Sequence, residues 1–328
     1  MGACVAGTIF ASPGAEGVGR GISRGVEGGG DDGEMGVLVV VMNYTGDVLN
    51  FGMAVEKAKA GGKRLEMVVV GDDVGVGRAQ GGKVGRRGIA GTVLVIKIAG
   101  ALAAMGAGLE EVRGVARMVA GNVVSVGASL SRVHVPGRVG PPDESSEEVL
   151  ATEEVEVGMG IHNEPGSHRA RVDLVELVRT LLAQLLDWRD EDRAFLRVGS
   201  EDGVVLLVNN LGGVSVLEMG GITGEVVVQL EKDYGIKPVR ILSGTYMTSL
   251  NGLGFSISIL KIADTGLGSG KSMLELLDAP AEATGWSAAI KTETWERNFG
   301  STREKTGGAE DETKPSNLRS TLHGSHYT

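Results

Sequence analysis

The stretch "VLVVVMNYTGDVLNFGMAVEKAKAGGKRLEMVVV", residues 37–70, decides the fold class of this chain. Its first five residues form a continuous apolar run, which is typical of a strand covered on both faces. Apolar residues then follow at helical spacing from 51 to 58, and two glycines end that helix before a second apolar run at 67–70. A strand, a helix and a strand at this spacing predict a βαβ unit, which favours a parallel sheet.

Periodic segments continue beyond this unit and fall into two groups. Helices are predicted at 92–105, 109–120, 174–188 and 215–230, and strands at 123–128, 155–161, 204–208, 239–242 and 255–262. In the last strand the alternating "FSISI" indicates one buried and one less buried face. We therefore predict an α/β protein of two subdomains, residues 1–142 and 143–286, with mainly parallel or mixed sheets covered by helices.

Three segments have the composition of connections. "EGGGDDGEMG" at 27–36 is predicted to be a flexible insertion, and "PGRVGPPDESSEE" at 136–148 a linker between the subdomains. Residues 287–328 are polar and aperiodic, so we expect a disordered tail there.

Composition excludes several classes of protein. The 328 residues are 42% hydrophobic, so a core can form, and the net charge of −10 disfavours a nucleic-acid partner. The basic residues are scattered except in "GKVGRRG" at 82–88. A single cysteine, Cys4, excludes an internal disulfide framework and a multi-cysteine zinc site. No apolar run approaches the ~18 residues of a membrane span, and no secretory signal is present, so we expect a cytoplasmic protein.

His162 lies in "GMGIHNEPG", residues 158–166, where a predicted strand gives way to a loop. Two interpretations remain open at this point. The imidazole can be a partly buried structural histidine, or a nucleophile at the mouth of a pocket, because neutral imidazole is nucleophilic near pH 7.

Asp47 follows the first buried strand in "NYTGD", residues 43–47. Open α/β sheets bind their ligands at the carboxyl ends of strands, so a functional carboxylate is plausible here. The alternative is that Asp47 caps a helix beginning around residues 48–50, since Asp is a favoured N-cap residue.

Two glycine-rich turns resemble phosphate-binding loops. "GLGSGKS" at 266–272 follows a strand and precedes a helix, but Thr265 stands where a P-loop has its first glycine. We therefore predict a turn into a helix rather than a nucleotide site. "VNNLGGVSVLE" at 208–218 can hold an anion at a helix N-terminus, or Asn209 and Asn210 can simply fix a tight turn.

Together, these segments resemble the substrate-binding K domain of dihydroxyacetone (glycerone) kinases over about residues 4–286. The motifs occur in the family's order: "NYTGDVLNFGMA" (43–54), "VVVGDDV" (68–74), "GRRGIAGTVLVIKIAGALA" (85–103), "SLSRVHVPG" (129–137), "VEVGMGIHNEPG" (155–166), "VNNLGGVSVLE" (208–218), "GTYMTSLNGLGFSISIL" (244–260) and "LLDAPAEATGW" (276–286).

The resemblance implies roles for particular residues. His162 would bind the carbonyl of dihydroxyacetone, or a related short-chain ketose, as a covalent hemiaminal. Asp47 would be the base for the hydroxyl that attacks the γ-phosphoryl group, and Met42 occupies the place of the family's substrate-contacting lysine. In the family, ATP and Mg²⁺ are bound on a separate helical L domain. The resemblance also implies a homodimer.

The chain departs from the family pattern in three places. Met42 replaces a cation with a thioether, no "GGSGHEPAH"-type segment precedes Cys4, and no aspartate-rich L domain follows Trp286. We therefore expect the first subdomain to be incomplete at its N-terminus and the chain alone to be inactive. The expected function is the K-domain part of a kinase; the alternative is a non-catalytic ketose-binding or regulatory protein.

Overall fold

The βαβ unit predicted from residues 37–70 is present in the computed structural model, which describes residues 3–27, 36–133, 135, 150–151, 153–291 and 294. The helices are α1 (Ala15–Glu27), α2 (Thr45–Ala60), α3 (Arg78–Gly81), α4 (Gly91–Ala104), α5 (Leu109–Gly121), α6 (Leu174–Leu186), α7 (Val216–Tyr234) and α8 (Met273–Asp278). The strands are β1 (Val37–Met42), β2 (Leu65–Val70), β3 (Val123–Ser129), β4 (Val155–Val157), β5 (His168–Ala170), β6 (Val204–Asn210), β7 (Arg240–Gly244), β8 (Gly254–Lys261) and β9 (Ile290–Lys291).

Strands β1 and β2 form a parallel pair in which Val37 lies opposite Leu65 and Met42 opposite Val70. Helix α2 connects them, and α1 packs beside α2 on the same small core. The sequence did not predict α1, because its four glycines lower helix propensity by about 1 kcal/mol each. Packing outweighs that cost, since Val18 and Ile22, one turn apart, are both buried.

The larger sheet has seven strands in the order β5-β4-β3-β8-β6-β7-β9. Only β6 and β7 pair in parallel, and every other pairing in this sheet is antiparallel. The predicted α/β class with parallel or mixed sheets is thus confirmed, since the β1–β2 pair is parallel and the larger sheet is mixed. Two of the antiparallel pairs are made by β8, which lies in the centre of the sheet between β3 and β6.

Strand β8 is buried on both faces, which corrects the prediction of a less buried face for "FSISI". Phe255 and Ile257 pack in the core with α6 and α7, while Leu260 packs in the core with α4, α5 and α8. Ser256 and Ser258 are buried as well, and the Ser258 hydroxyl accepts a hydrogen bond from Ser125 at 2.7 Å. Small polar residues alternate here because their hydroxyls are satisfied inside the sheet.

The boundary between two subdomains near residue 142 stays a prediction. The large sheet crosses it, because β3 lies on one side in sequence and its neighbours β4 and β8 on the other. The insertion at 27–36 and the linker at 136–148 fall almost wholly outside the described residues. Of the predicted tail, residues 290–291 form β9 through backbone pairing with β7, and nearly all the rest lies outside the described residues. Within the described ranges, no helix is both long and apolar enough to cross a bilayer.

Candidate functional site

His162 lies in the turn that follows β4, and contacts from two other segments fix the main chain of this turn. Strand β4 ends at Val157, earlier than predicted, because the chain turns at Gly158 with φ of 76°. Asn163 Oδ1 accepts the backbone N–H of Val133 at 2.9 Å, and Asn163 Nδ2 donates to the backbone carbonyl of Val133 at 2.8 Å. The Ser249 hydroxyl donates to the carbonyl of Ile161. His162 therefore stands on a braced loop.

Glu164 fixes the orientation of the imidazole. Its Oε1 lies 2.8 Å from His162 Nδ1, and its Oε2 accepts the His162 backbone N–H at 2.9 Å. Burial raises the pKa of Glu164, but the hydrogen bonds from the His162 ring and backbone outweigh burial, so the pKa lies below its usual value. An ionised carboxylate only accepts hydrogen bonds, so Nδ1 carries the proton and Nε2 of the neutral ring keeps a free lone pair.

Two aromatic rings enclose the imidazole by their edges. The Tyr44 ring centroid lies 4.8 Å from that of His162, and the Phe10 centroid lies 5.2 Å away, both in T-shaped geometry. The His162 side chain keeps 29% of its surface exposed, so a small molecule can still reach the ring. The arrangement combines an oriented imidazole with an opening to solvent.

The hydroxyl of Tyr44 is buried and has no hydrogen-bond partner among the described residues. Burial raises the pKa of Tyr44 strongly, and the carboxylates of Glu164 and Asp73 raise it further. The phenol therefore stays protonated and can donate one hydrogen bond. Sequence reasoning missed Tyr44, Glu164 and Phe10, although Tyr44 and Glu164 lie inside the two motifs that it singled out.

Asp47 is the third residue of α2, which corrects the N-cap alternative. Helix α2 begins at Thr45 rather than around 48–50, and Tyr44 is its N-cap residue. Tyr44 has an extended backbone (φ −120°, ψ 138°), and the helical conformation begins at the next residue. A β-carbon at Gly46 would lie 2.5 Å from the Ser12 hydroxyl. Asp47 is half-buried, and its carboxylate forms no hydrogen bond or ion pair with the described residues. Its charge is favoured at the N-terminal turn of a helix.

Tyr44 joins the two predicted site motifs. It caps the helix that carries Asp47, and its ring touches His162. The structure thus brings the first turn of α2 beside the His162 loop, without a direct contact between Asp47 and His162. Met42 is the half-buried last residue of β1, two positions before Tyr44, and its thioether carries no charge.

A buried ion pair braces the same end of the structure. Arg87 Nε donates to Asp73 Oδ2 at 2.8 Å, and its Nη2 donates to the carbonyl of Gly158 at 2.6 Å. Burial raises the pKa of Asp73 to about 6, because the effect of burial outweighs the lowering effect of Arg87. Asp72 accepts the backbone N–H groups of Ile89 and Gly91 at 2.9 Å each. The "VVVGDDV" motif therefore holds the start of α4 and the base of the His162 loop.

Asn209 and Asn210, at the end of β6, fix turns of the main chain. This agrees with the second of the two interpretations of "VNNLGGVSVLE". Asn209 Oδ1 accepts the N–H groups of Tyr246 and Met247 at 2.9 Å each. Asn210 Oδ1 accepts the N–H groups of Gly212 at 2.9 Å and Val214 at 3.1 Å. Both amide oxygens are thus occupied within the protein.

The glycines of "GLGSGKS" lead into a very short helix. Helix α8 has six residues, and Ser272 caps it by accepting the N–H of Glu275. Such a short helix offers little macrodipole for a phosphate. The geometry agrees with the predicted turn. Among the described residues, no group of three or more His, Cys, Asp or Glu side chains is placed to hold a metal ion.

Comparisons with known proteins agree with the motif order. The Dak1 domain family matches residues 1–285. The dihydroxyacetone kinase of Pichia angusta is 45% identical over 301 residues, which cover 89% of this chain and 48% of that protein. The chain thus spans about half the length of the curated relatives that it matches.

Solved structures show the same fold. The dihydroxyacetone kinase of C. freundii in complex with AMP-PNP and Mg²⁺ superposes with a TM-score of 0.69 at 31% identity, over 86% of this chain and 47% of that one. A dihydroxyacetone kinase operon co-activator superposes with a TM-score of 0.68 at 26% identity, over 83% of this chain and 76% of that one. This chain belongs to the Dak1 domain family, whose members here include dihydroxyacetone kinases.

Proposed function

We propose that this chain is the ketose-binding part of a dihydroxyacetone kinase and that His162 binds its substrate covalently. The observation that carries the proposal is the hydrogen bond between His162 Nδ1 and Glu164 at 2.8 Å. It leaves Nε2 as the nucleophilic nitrogen of a ring that is held by two aromatic edges and remains partly exposed.

In the proposed step, Nε2 forms a bond to the carbonyl carbon of the ketose. The carbonyl π bond breaks, and its electron pair goes to the oxygen, which takes up a proton. The ring loses its Nδ1 proton as the hemiaminal becomes neutral, and Glu164 is placed to share that proton. No oxidant or other reactant is needed. Because glycerol has no carbonyl group, it cannot form this bond.

Asp47 is proposed as the base for the reacting hydroxyl. Its carboxylate is half-buried, lies in the first turn of α2 and has no partner among the described residues. A positioned base contributes roughly 10²–10⁴-fold to such a proton transfer. We further propose that ATP and Mg²⁺ are held on a separate nucleotide-binding domain, because phosphoryl transfer depends on positioning and cationic stabilisation. We also propose a homodimer.

Carbon-13 NMR tests the capture step directly. Dihydroxyacetone labelled at its carbonyl carbon should lose its ketone signal and gain one of a tetrahedral carbon when the purified chain is added. His162→Ala should abolish the new signal, whereas Glu201→Gln, in an exposed loop, should keep it. An equal signal from the His162→Ala variant would reject His162 as the nucleophile.

A ketose-binding regulatory protein is the second candidate. It is favoured by the likeness to the operon co-activator, of which this chain covers 76% at 26% identity, and by Met42 at the family's lysine position. An assay of ADP release separates the two. The chain is mixed with ATP, Mg²⁺, dihydroxyacetone and a nucleotide-binding domain from a dihydroxyacetone kinase. Ketose-dependent turnover, absent from the chain alone, supports the kinase; capture without turnover supports the regulator.

A further inference from the structure

Two charged side chains outside the His162 loop, residues 158–167, form an ion pair beside it. Glu156 is the middle residue of β4, and its side chain is only 5% exposed. Arg132 follows β3 in the chain, and its side chain is 17% exposed. Arg132 Nη2 donates to Glu156 Oε2 at 3.1 Å. Both residues lie in motifs that carry the family resemblance, "SLSRVHVPG" and "VEVGMGIHNEPG", and no role was predicted for either.

Each member of this ion pair also bonds the main chain of the loop. Arg132 Nη1 donates to the carbonyl of Asn163 at 3.1 Å. Glu156 Oε1 accepts the backbone N–H of Gly166 at 2.8 Å. Because the two side chains are bonded to each other, they hold these two points of the loop at a fixed separation.

The conformation of Asn163 makes the bond from Arg132 important. Asn163 has a φ of 63°, in the left-handed region that asparagine tolerates better than most residues. Its side-chain amide is already bonded to the backbone of Val133. Its carbonyl oxygen is the acceptor for Arg132, so the peptide bond from Asn163 to Glu164 cannot rotate without breaking a charge-assisted hydrogen bond.

That peptide bond leads directly into the residue that orients the imidazole. Glu164 Oε1 lies 2.8 Å from His162 Nδ1, and Glu164 Oε2 accepts the His162 backbone N–H at 2.9 Å. One carboxylate can reach both groups only while the main chain at Glu164 keeps its place. Such placement matters, since a misplacement of about 1 Å can reduce reactivity roughly 100-fold.

General stability does not account for a charged pair at this position. The attraction between two buried charges is largely offset by the cost of removing them from water, and well-packed apolar residues are often as stable. Apolar side chains could not, however, donate to the Asn163 carbonyl or accept the Gly166 N–H. The ion pair therefore supplies geometry to the loop.

We propose that Arg132 and Glu156 are positioning residues that hold Glu164 against His162 Nδ1. Their hydrogen bonds go to the main chain at Asn163 and Gly166, so they act on the imidazole through the loop. Their effect on ketose capture rests on the proposed function of His162. Their effect on the ring does not, and it can be measured without substrate.

Nitrogen-15 NMR of the purified chain with labelled histidine tests this effect on the ring. At about pH 8, above the usual pKa of an imidazole, the wild type should show a protonated Nδ1 and an unprotonated Nε2 for His162. The His162→Ala variant identifies these signals by their loss. Arg132→Lys keeps the charge but loses the planar fork that reaches Asn163 and Glu156 together. We expect its two ring signals to move towards each other as the tautomers mix.

Ketose capture gives the second measurement. Arg132→Lys should weaken dihydroxyacetone capture roughly 3- to 10-fold in a carbon-13 titration, because one hydrogen bond from a charged group is lost and lysine replaces it only in part. Glu156→Gln keeps the shape but not the charge, and it should change the ring signals in the same direction. The matched control is Arg113→Lys in α5, where Arg113 Nη1 donates to Glu66 Oε2 at 3.1 Å. It should leave both measurements unchanged.

The outcomes separate this proposal from the proposed function. Wild-type ring signals in both Arg132→Lys and Glu156→Gln would overturn the positioning role, as would an equal change in Arg113→Lys. If wild-type protein gives no tetrahedral carbon signal but Arg132→Lys still shifts the ring signals, the positioning role is supported and covalent capture is rejected.

Discussion

At the scale of single residues, the site depends on what surrounds His162 rather than on the histidine alone. Glu164 sets which nitrogen carries the proton, and the Tyr44 and Phe10 rings limit how the imidazole can turn. None of these contacts involves a residue next to His162 in sequence. Three segments of the chain therefore set the orientation of the His162 ring.

Glu164→Gln tests the role of the carboxylate. The amide retains a similar shape but replaces a charge-assisted hydrogen bond with a neutral one, a loss of about 1 kcal/mol. We expect dihydroxyacetone capture, measured by carbon-13 NMR titration, to weaken about fivefold. Glu201→Gln is the matched control in an exposed loop. Unchanged capture in Glu164→Gln would contradict the assigned role.

Tyr44→Phe separates the ring of Tyr44 from its hydroxyl. The ring contact with His162 remains, and a buried hydroxyl without a partner among the described residues is removed. We expect the free energy of unfolding to rise by about 1 kcal/mol in a urea titration. Tyr44→Leu, which also loses the ring edge, should instead reduce ketose capture. A destabilised Tyr44→Phe would show that the hydroxyl has a partner in solution.

At the scale of elements, α1 shows how packing can create a helix from a sequence that does not favour one. Its glycines are not equivalent. A β-carbon at Gly19 would meet nothing within 4 Å, whereas one at Gly21 would lie 2.6 Å from a methyl group of Val5. The close approach of the N-terminal segment to α1 therefore requires a glycine only at the second position.

Alanine substitution should distinguish these two positions. Gly19→Ala should stabilise the protein by roughly 0.5–1 kcal/mol, because alanine favours the helix and nothing obstructs its methyl group. Gly21→Ala should raise the free energy of unfolding by less, or should lower it, because the new methyl group must displace Val5. Urea unfolding of the two variants measures the difference. Equal stabilisation would mean that Val5 does not pack as described.

At the scale of the whole molecule, the paired aspartates link the two sheets. The Asp72 carbonyl accepts the N–H of Ser125 in β3 at 2.7 Å, and Asp73 pairs with Arg87, which reaches the His162 loop through Gly158. Both carboxyl groups are almost fully buried, and burial raises the pKa of each. Protonation of these two carboxyl groups therefore makes the free energy of unfolding depend on pH.

The pKa of Asp73 gives the sign of this pH dependence. It is about 6 in the folded protein against an ordinary 3.8, so the native state binds more protons between these values. The contribution of Asp73 to stability is thus greatest below pH 4 and declines as pH rises through about 6. Asp73→Asn should flatten the change in unfolding free energy between about pH 4 and 6, measured in urea. An unchanged slope would contradict the raised pKa.

The sequence by itself determined the local elements and the family. Apolar periodicity predicted β1, α2 and β2 correctly, because covered strands and amphipathic helices leave their period in a short window. The order of motifs predicted the dihydroxyacetone kinase family, which the Dak1 match confirms, while the roles of His162 and Asp47 in "GIHNEPG" and "NYTGD" stay predictions. Periodicity and short motifs can be read from the sequence because each depends on residues that are close together along the chain.

Only the tertiary structure decided what required distant segments to meet. Tyr44 and His162 are far apart in sequence, yet their ring centroids lie 4.8 Å apart. The N-cap interpretation of Asp47 was wrong, since Tyr44 is the N-cap residue and α2 begins two residues before Asp47. The buried serines of β8 were likewise unpredictable from alternation, because burial of a polar residue depends on a partner supplied by another strand.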